Sequence, residues 1–561
     1  MTRTVAMNEA VQSPLHGRRA EADPTATAPS VTRAILTAVF GVTGILLACK
    51  IVGFSEKIIV AHYLGTSRSA DCYYAAFAVV WMLVYVVREL VHPVGLPVYL
   101  ELRRQGPRGE ADRLLSSAGG GLLCILAIAA VALAAWPHAA VRFIAPGFES
   151  DARIETAQLL RFMAGGAALL TVTALTRTVL DAHKRFCWSA GGELAFRTVT
   201  VGILAAGFVW KGLPYAGLAL VLGAAAGLLV HGWALRQEVR LVRPGWTPSI
   251  RSAVGRMMLL GGPLVVGVVS SHISQLIDGI LASTLAEGRL AALTYAKKLT
   301  DAIVLLGPAA LATVMFSHFS SLAVTGRRDE MKRLLTRCLR IVVLAGVPVS
   351  IAVFMLRQPI ISILFEHGRF DARSTHLSAG ALAFYGLGIV AFALDGLIVG
   401  TFYALKDMKT PVLVGLVCVV ANVVIAWLLM GPLDHLGIAL ALTLTKTAKV
   451  LVLAYVLHGR SLLAGDLMRL NFWAPLTGAG ASMVVALLCV QHAWPAPSAQ
   501  WGFVGQAVSM MFATAVGSAA FVSVLVWCAV PEVRVASRLV HACVTGLLQP
   551  KVVDERMGED G

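Results

Sequence analysis

From about residue 34 to about residue 530 the chain is a succession of apolar stretches, each long enough to cross a bilayer as a helix. Hydrocarbon offers no hydrogen-bond partners, so every spanning backbone group must be satisfied internally. Open sheets are thereby excluded and helices remain. The composition agrees, with 57% hydrophobic residues, 14% charged residues and a mean hydropathy of +0.77, values foreign to soluble domains. The expected fold is an all-α polytopic membrane protein with fourteen transmembrane helices. The predicted spans are 34–62, 70–98, 117–140, 156–181, 190–209, 214–235, 255–285, 289–322, 338–364, 374–404, 410–430, 435–457, 473–492 and 501–529. Gly53, Pro93, Pro97, Pro263 and Pro308 are candidate bends within them.

The net charge of +16 would suit a nucleic-acid partner, but the placement of the charges argues against one. Basic clusters recur at Arg103 to Arg113, His183 to Arg185, Arg236 to Arg256, Arg327 to Arg337, Lys406 with Lys409, Arg460 with Arg469, and Arg534 to Arg556. Two apolar spans and one loop poor in Lys and Arg separate successive clusters. This is the positive-inside pattern, and it places both termini in the cytoplasm. An anionic cytoplasmic leaflet is the natural partner of such loops. Residues 1–30 lack the apolar core of a secretory signal and read as part of a disordered tail.

An internal repeat appears at an offset of about 221 residues. Phe148 and Asp151-Ala152-Arg153 open one span that ends in Leu180-Asp181-Ala182-His183-Lys184. Phe370-Asp371-Ala372-Arg373 opens another that ends in Phe402-Tyr403-Ala404-Leu405-Lys406. Weaker matches pair Ala61 with Ala282, Leu64 with Leu285, and Tyr74-Ala75 with Tyr295-Ala296. Six spans per copy is an even number, so both copies share one orientation. Two parallel six-helix lobes follow, with a site between them. The expected organisation is a tail (1–33), a first lobe (34–240), a second lobe (241–465), two further helices (466–532) and a second tail (533–561).

Charges stand inside these spans: Lys50, Glu56, Lys57, Asp71, Arg88, Glu89, Asp278, Lys297, Lys298, Asp301 and Asp395. Each central charge costs roughly 3 kcal/mol even on the mild insertion scale. They must face one another or a cavity holding water or substrate, which points to a transporter. Lys50 and Lys57 share a helix face and either meet an anionic substrate or, for Lys57 and Glu56, snorkel to the interface. Asp71 either caps its helix or belongs to the site. Arg88, Glu89 and His92 lie on one face, and a self-neutralising pair is the alternative to a site. Gln275 and Asp278, with His272 and the hydroxyls of Ser270, Ser271 and Ser274, either hold Na⁺ or a proton or form a packing cluster. Lys297 and Lys298 both reach Asp301, which neutralises one and leaves the other for an anion. Asp395 is alone in its apolar run and is a candidate proton carrier. Arg177 and Asp181 read as a surface ion pair.

No phosphate-binding loop, metalloprotease motif, nucleophile elbow or Cys/His metal spacing is present in the sequence. The expectation is a non-enzyme without a resident cofactor. The nine cysteines show no paired spacing and read as small buried hydrophobes.

The stretch Ile363-Leu364-Phe365-Glu366-His367-Gly368-Arg369-Phe370 and the stretch Phe402-Tyr403-Ala404-Leu405-Lys406-Asp407-Met408-Lys409-Thr410-Pro411 resemble the lipid II flippases of the MurJ (MviN) type. That family belongs to the multidrug/oligosaccharidyl-lipid/polysaccharide exporter superfamily. Gly53-Phe54, Ala61 to Gly65, Ala70-Asp71 and Tyr295 to Leu299 also fit. The resemblance implies two lobes around a V-shaped cavity, a lateral groove for a polyprenyl tail on the last two spans, and a location in the bacterial inner membrane. It implies an undecaprenyl-diphosphate-linked cell-wall precursor as substrate, cell-wall synthesis proteins as partners, and a role in peptidoglycan biogenesis. Family cavity arginines fall on Lys50, Glu56 and Lys298, and another falls near Val84. The family's span 2 acid matches Glu89, and its loop-proximal aspartate matches Asp71. A lysine keeps the charge of an arginine but not its two-pronged fit to phosphate, and Glu56 reverses the charge. Alternatives are therefore another lipid-linked glycan, such as an exopolysaccharide or O-antigen unit, a cation-coupled drug exporter, or a non-transporting cell-wall scaffold.

Overall fold

The computed structural model describes residues 28–105, 107, 109–210, 214–236, 244–306, 308–463, 470–493 and 502–530. Among these residues there are nineteen α-helices and no strands. The first eight are α1 (Ala28–Leu64), α2 (Arg68–Gln105), α3 (Glu110–Leu114), α4 (Gly120–Ala135), α5 (Pro137–Ile144), α6 (Ser150–Ala182), α7 (Phe186–Trp210) and α8 (Pro214–Leu235). The next nine are α9 (Pro248–Ala282), α10 (Arg289–Leu306), α11 (Pro308–Val324), α12 (Arg328–Met355), α13 (Arg357–Phe365), α14 (Ala372–Leu387), α15 (Ile389–Ala404), α16 (Lys409–Leu433) and α17 (His435–Gly459). The last two are α18 (Leu470–Ala493) and α19 (Gly502–Trp527). Each of the fourteen predicted spans coincides with one helix or with consecutive helices. Nine described helical stretches are long and apolar enough to cross a bilayer by themselves, and α14 with α15 supply a tenth bent by 46°.

Several predicted spans are broken, for local reasons. Pro308 lacks the N–H that would continue α10, so α11 starts afresh there. The α14–α15 bend falls at Gly388, whose absent side chain leaves room for the Phe392 ring and the Thr443 hydroxyl. By contrast, α2 runs continuously through Pro93 and Pro97. The first helix starts at Ala28, inside the stretch read as a tail. The remainder of that stretch, residues 1–27, and residues 531–561 lie outside the described residues.

Helices α1, α2 and α4 to α8 pack chiefly among themselves, as do α9 to α17, while α18 pairs with α19 against α12 and α13. The two larger groups meet along α2 and α9 and at a seam on the side remote from the basic loops. At the seam the Arg369 backbone N–H donates to the His62 carbonyl at 2.8 Å. The Tyr295 hydroxyl donates to the Gly65 carbonyl at 3.0 Å, and Thr66 Oγ1 lies 2.8 Å from Ser374 Oγ. Two glycines permit this close approach. Gly288 has φ +85°, and a Cβ there would stand 2.1 Å from the Thr66 carbonyl oxygen. Gly368 has φ +66°, and its Cβ would stand 2.4 Å from the His62 carbonyl oxygen. Around them Tyr74, Tyr295, Phe365 and Phe370 form one aromatic cluster.

Candidate functional site

Between the two groups lies a cavity of about 170 Å³, lined mainly by α2, α9 and α10, with Lys57 from α1 and Tyr385 from α14. It gathers Lys57, Gln275, Asp278, Lys297, Lys298 and Asp301. Aromatic rings on α2, from Phe77 through Trp81 to Tyr85, form one wall. The stacked His272 ring continues that wall, 5.3 Å from Tyr85.

The cavity charges are mostly neutralised. Lys57 donates to Glu56 Oε1 at 2.6 Å, and the Tyr73 hydroxyl donates to the same oxygen at 2.9 Å. The ammonium sits 4.4 Å from the centre of the Phe77 ring. Both charged residues are buried, so the expected free cation at Lys57 is corrected to an internal ion pair, and neither residue snorkels. Lys297 pairs with Asp301 one turn on. Lys298 lines the cavity with no ion-pair partner among the described residues, making it the cation available to an anion there.

Asp278 accepts a hydrogen bond from Asn422 Nδ2 at 2.7 Å, and Thr445 Oγ1 donates to Asn422 Oδ1 at 3.3 Å. Gln275 stands one turn away on the cavity wall, with no hydrogen bond to Asp278 or Asn422 among the described residues. The side chains of Ser270 and Ser271 lie outside the described residues. Asn422 and Thr445 were not singled out in the sequence, because a single amide in an apolar span carries no periodic signal.

Three expectations are corrected by partners from distant segments. Arg88 and Glu89 do not neutralise each other: Arg88 Nη1 lies 3.4 Å from Glu193 Oε2, and Glu89 Oε2 lies 3.6 Å from His272. Asp395 is not alone: Lys449 Nζ stands 2.7 Å and Lys446 Nζ 3.1 Å from its carboxylate. Asp395 is therefore not the isolated carboxylate that the proton-carrier reading assumes. Asp71 does not cap its own helix. It accepts backbone N–H groups of Gly288 at 2.6 Å and Ala291 at 2.7 Å, so it caps α10 across the seam. The expected pair of Arg177 and Asp181 is present at 3.9 Å, though in the interior, not on the surface.

Lys50 does not line the central cavity. It is exposed, within electrostatic range of Arg197, Glu193 and Arg88. Glu193 and Arg197, four apart on α7, were legible as charges within span 190–209 yet lay outside the residues singled out. Lys446 and Lys449 were likewise visible within span 435–457.

A polytopic helical bundle in two main packing groups, with a charged cavity between them and paired charges within each, is the architecture of a membrane transporter. The family model described as lipid II flippase MurJ matches residues 60–513. The probable lipid II flippase MurJ of Buchnera aphidicola (strain APS) is 24% identical over 464 residues, covering 82% of this chain and 90% of that relative. The lipid II flippase MurJ of Burkholderia cenocepacia is 26% identical over 482 residues, covering 84% and 91%. Among solved structures, a lipid II flippase MurJ in an inward closed conformation superposes with a TM-score of 0.71 at 18% identity, covering 86% of this chain and 99% of that one. An inward-facing multidrug resistance MATE family transporter of the MOP superfamily gives 0.66 at 14% identity, covering 73% and 94%. The chain belongs to the lipid II flippase MurJ family and is a multi-pass membrane protein.

Proposed function

We propose that this chain moves an undecaprenyl-diphosphate-linked cell-wall precursor of the lipid II type from the inner to the outer leaflet of the bacterial cytoplasmic membrane. The two helical groups act as lobes that rock about the central cavity. The seam at Gly65, Gly288 and Gly368 closes one face while the other exchanges substrate. Family membership supports the substrate class. The observation that carries the site is Lys298, a cation without an ion-pair partner among the described residues, on the wall of a cavity between the lobes. The polyprenyl tail lies along α18 and α19, in contact with membrane lipids. Both termini face the cytoplasm, where the basic loops meet anionic headgroups. Cell-wall synthesis proteins are the proposed protein partners.

Asp278, held by the hydrogen bond from Asn422, is the proposed coupling point for Na⁺ or H⁺. A carboxylate on the wall of the central cavity offers a hard oxygen ligand to a cation and a charge that a proton can neutralise. A second reading, flipping of another lipid-linked glycan, is favoured by the Glu56–Lys57 pair, which cancels one cation on the cavity wall. Expression in a strain depleted of its lipid II flippase tests the choice. Restored growth supports the lipid II reading. Lysis despite membrane insertion, together with restored glycan export in a strain lacking an exopolysaccharide or O-antigen flippase, supports the second.

A further inference from the structure

A second polar chamber lies inside the first helical group, behind Trp81. Its volume is about 30 Å³, and its walls include Arg88 on α2, Arg177 on α6, Glu193 on α7 and His231 on α8. That is room for about two waters. Trp81 lines both this chamber and the central cavity. Its buried indole nitrogen has no hydrogen-bond partner among the described residues.

The centre of the cluster is Glu193. Its Oε1 accepts from Arg197 Nε at 2.9 Å and from Arg197 Nη2 at 2.7 Å, the fork that a guanidinium also offers to phosphate. Its Oε2 accepts from Arg88 Nη1 at 3.4 Å. Gly53 makes this possible, since a Cβ there would stand 2.4 Å from Arg197 Nη1. The arginine therefore lies directly against α1, one turn from Lys50. Four cations, Lys50, Arg88, Arg177 and Arg197, share the cluster with two carboxylates, Glu193 and Asp181. Two positive charges are left over. Surplus charge within a membrane span is costly without a counter-ion, and a diphosphate diester carries two negative charges. Glu193 lies seven residues into α7 from its basic-loop end, about 10 Å along the axis. An inner-leaflet headgroup arriving from the cytoplasm meets the cluster in that half of the bilayer.

We propose that Glu193 is a built-in stand-in for the substrate's diphosphate: it holds Arg88 and Arg197 while the site is empty and yields them to an arriving diphosphate. The inference rests on the proposed substrate class and adds the positioning residues that receive it. The exchange breaks and forms only hydrogen bonds and ion pairs. It loosens α7 from α2 when substrate binds, because the Arg88–Glu193 bond joins those helices.

Binding of inorganic pyrophosphate and of a short-chain polyprenyl diphosphate to the full chain in lipid nanodiscs tests this by titration calorimetry. Removing the competing carboxylate with Glu193→Gln is expected to tighten pyrophosphate binding roughly tenfold, and Arg197→Gln to weaken it by a similar factor. Arg197→Lys is expected to recover part of the loss. If Arg197→Gln does not fold, Gly53→Ala serves instead, because the added methyl displaces the guanidinium. A merely structural ion pair predicts that Glu193→Gln lowers stability without raising affinity. Unchanged or weaker pyrophosphate binding by folded Glu193→Gln overturns the proposal. The two diphosphates separate the headgroup from its tail: the same variant effects on both place recognition in the diphosphate, whereas effects on neither remove the clamp. Lipid II translocation by the wild type with unaltered variant affinities sinks the clamp and leaves the function standing. Altered affinities without lipid II translocation sink the function and leave the clamp.

Discussion

Replacing Asp71 with Asn tests the seam at its most polar point. Asp71 is 5% exposed, and its two oxygens accept the Gly288 and Ala291 N–H groups at 2.6 and 2.7 Å. These donors are free because the first turn of α10 has no intrahelical partners for them. The isosteric amide removes the negative charge, which interacts favourably with the helix N-terminus by about 0.3–1 kcal/mol. It also replaces one accepting oxygen with an NH₂ that faces another donor. A hydrogen bond to a charged group contributes about 1.5–3 kcal/mol. Together the closed seam loses about 3 kcal/mol, a shift of roughly a hundredfold in its equilibrium against the separated state. Crosslinking between Thr66→Cys and Ser374→Cys, whose native hydroxyl oxygens lie 2.8 Å apart, reads that equilibrium with the native cysteines replaced. The crosslinking rate is expected to fall steeply in Asp71→Asn. Equal rates with and without the substitution would refute the assignment of Asp71 as the cap that holds the seam.

The other perturbations act on separate parts of the molecule. Asp395→Asn leaves Lys446 and Lys449 unpaired inside the second group, and the melting temperature is expected to fall by the equivalent of about 3–5 kcal/mol; adding Lys446→Met and Lys449→Met should restore much of it, and an unchanged melting temperature would remove the cluster's structural role. Asp371 lies just outside α14, where the Ser374 N–H and hydroxyl hold its carboxyl below the usual carboxylate range. The folded value being depressed, this stabilisation is present above the ordinary carboxyl range and is lost as the pH falls through the folded value. Asp371→Ala is therefore expected to cost about 1 kcal/mol at neutral pH, with the gap from wild type closing in acid thermal melts; a pH-independent gap counts against the cap. Asp278→Asn is expected to abolish any Na⁺- or pH-dependent change in thermal stability in nanodiscs, and retention of the wild-type dependence would move the coupling point elsewhere.

The helical spans were legible because each is a long apolar run, and hydrocarbon permits few other folds. Breaks within them were legible where proline removes a donor, as at Pro308, but not at Gly388, where the Thr443 hydroxyl of another helix donates to the Phe384 carbonyl near the end of α14. The paired state of the interior charges was partly legible. Lys297 with Asp301 and Arg177 with Asp181 are one turn apart, so helical periodicity finds them. Arg88 with Glu193, and Asp395 with Lys446 and Lys449, join segments more than fifty residues apart. Local spacing carries no information on such pairs. Asp71 illustrates the same limit: an acid at a helix start suggested a cap, and the helix it caps is in the other group.

The proposed transport has the two helical groups carry a lipid-linked diphosphate across the bilayer through the cavity that Lys298 lines. Its most direct measurement is translocation of fluorescent lipid II in sealed vesicles reconstituted with the wild-type chain or with Lys298→Ala, scored by the fraction protected from an impermeant quencher. Transfer well above protein-free vesicles is expected with the wild type, and a loss of roughly tenfold or more in rate with the folded variant. Transfer indistinguishable from protein-free vesicles, or equal rates in the two proteins, would contradict it.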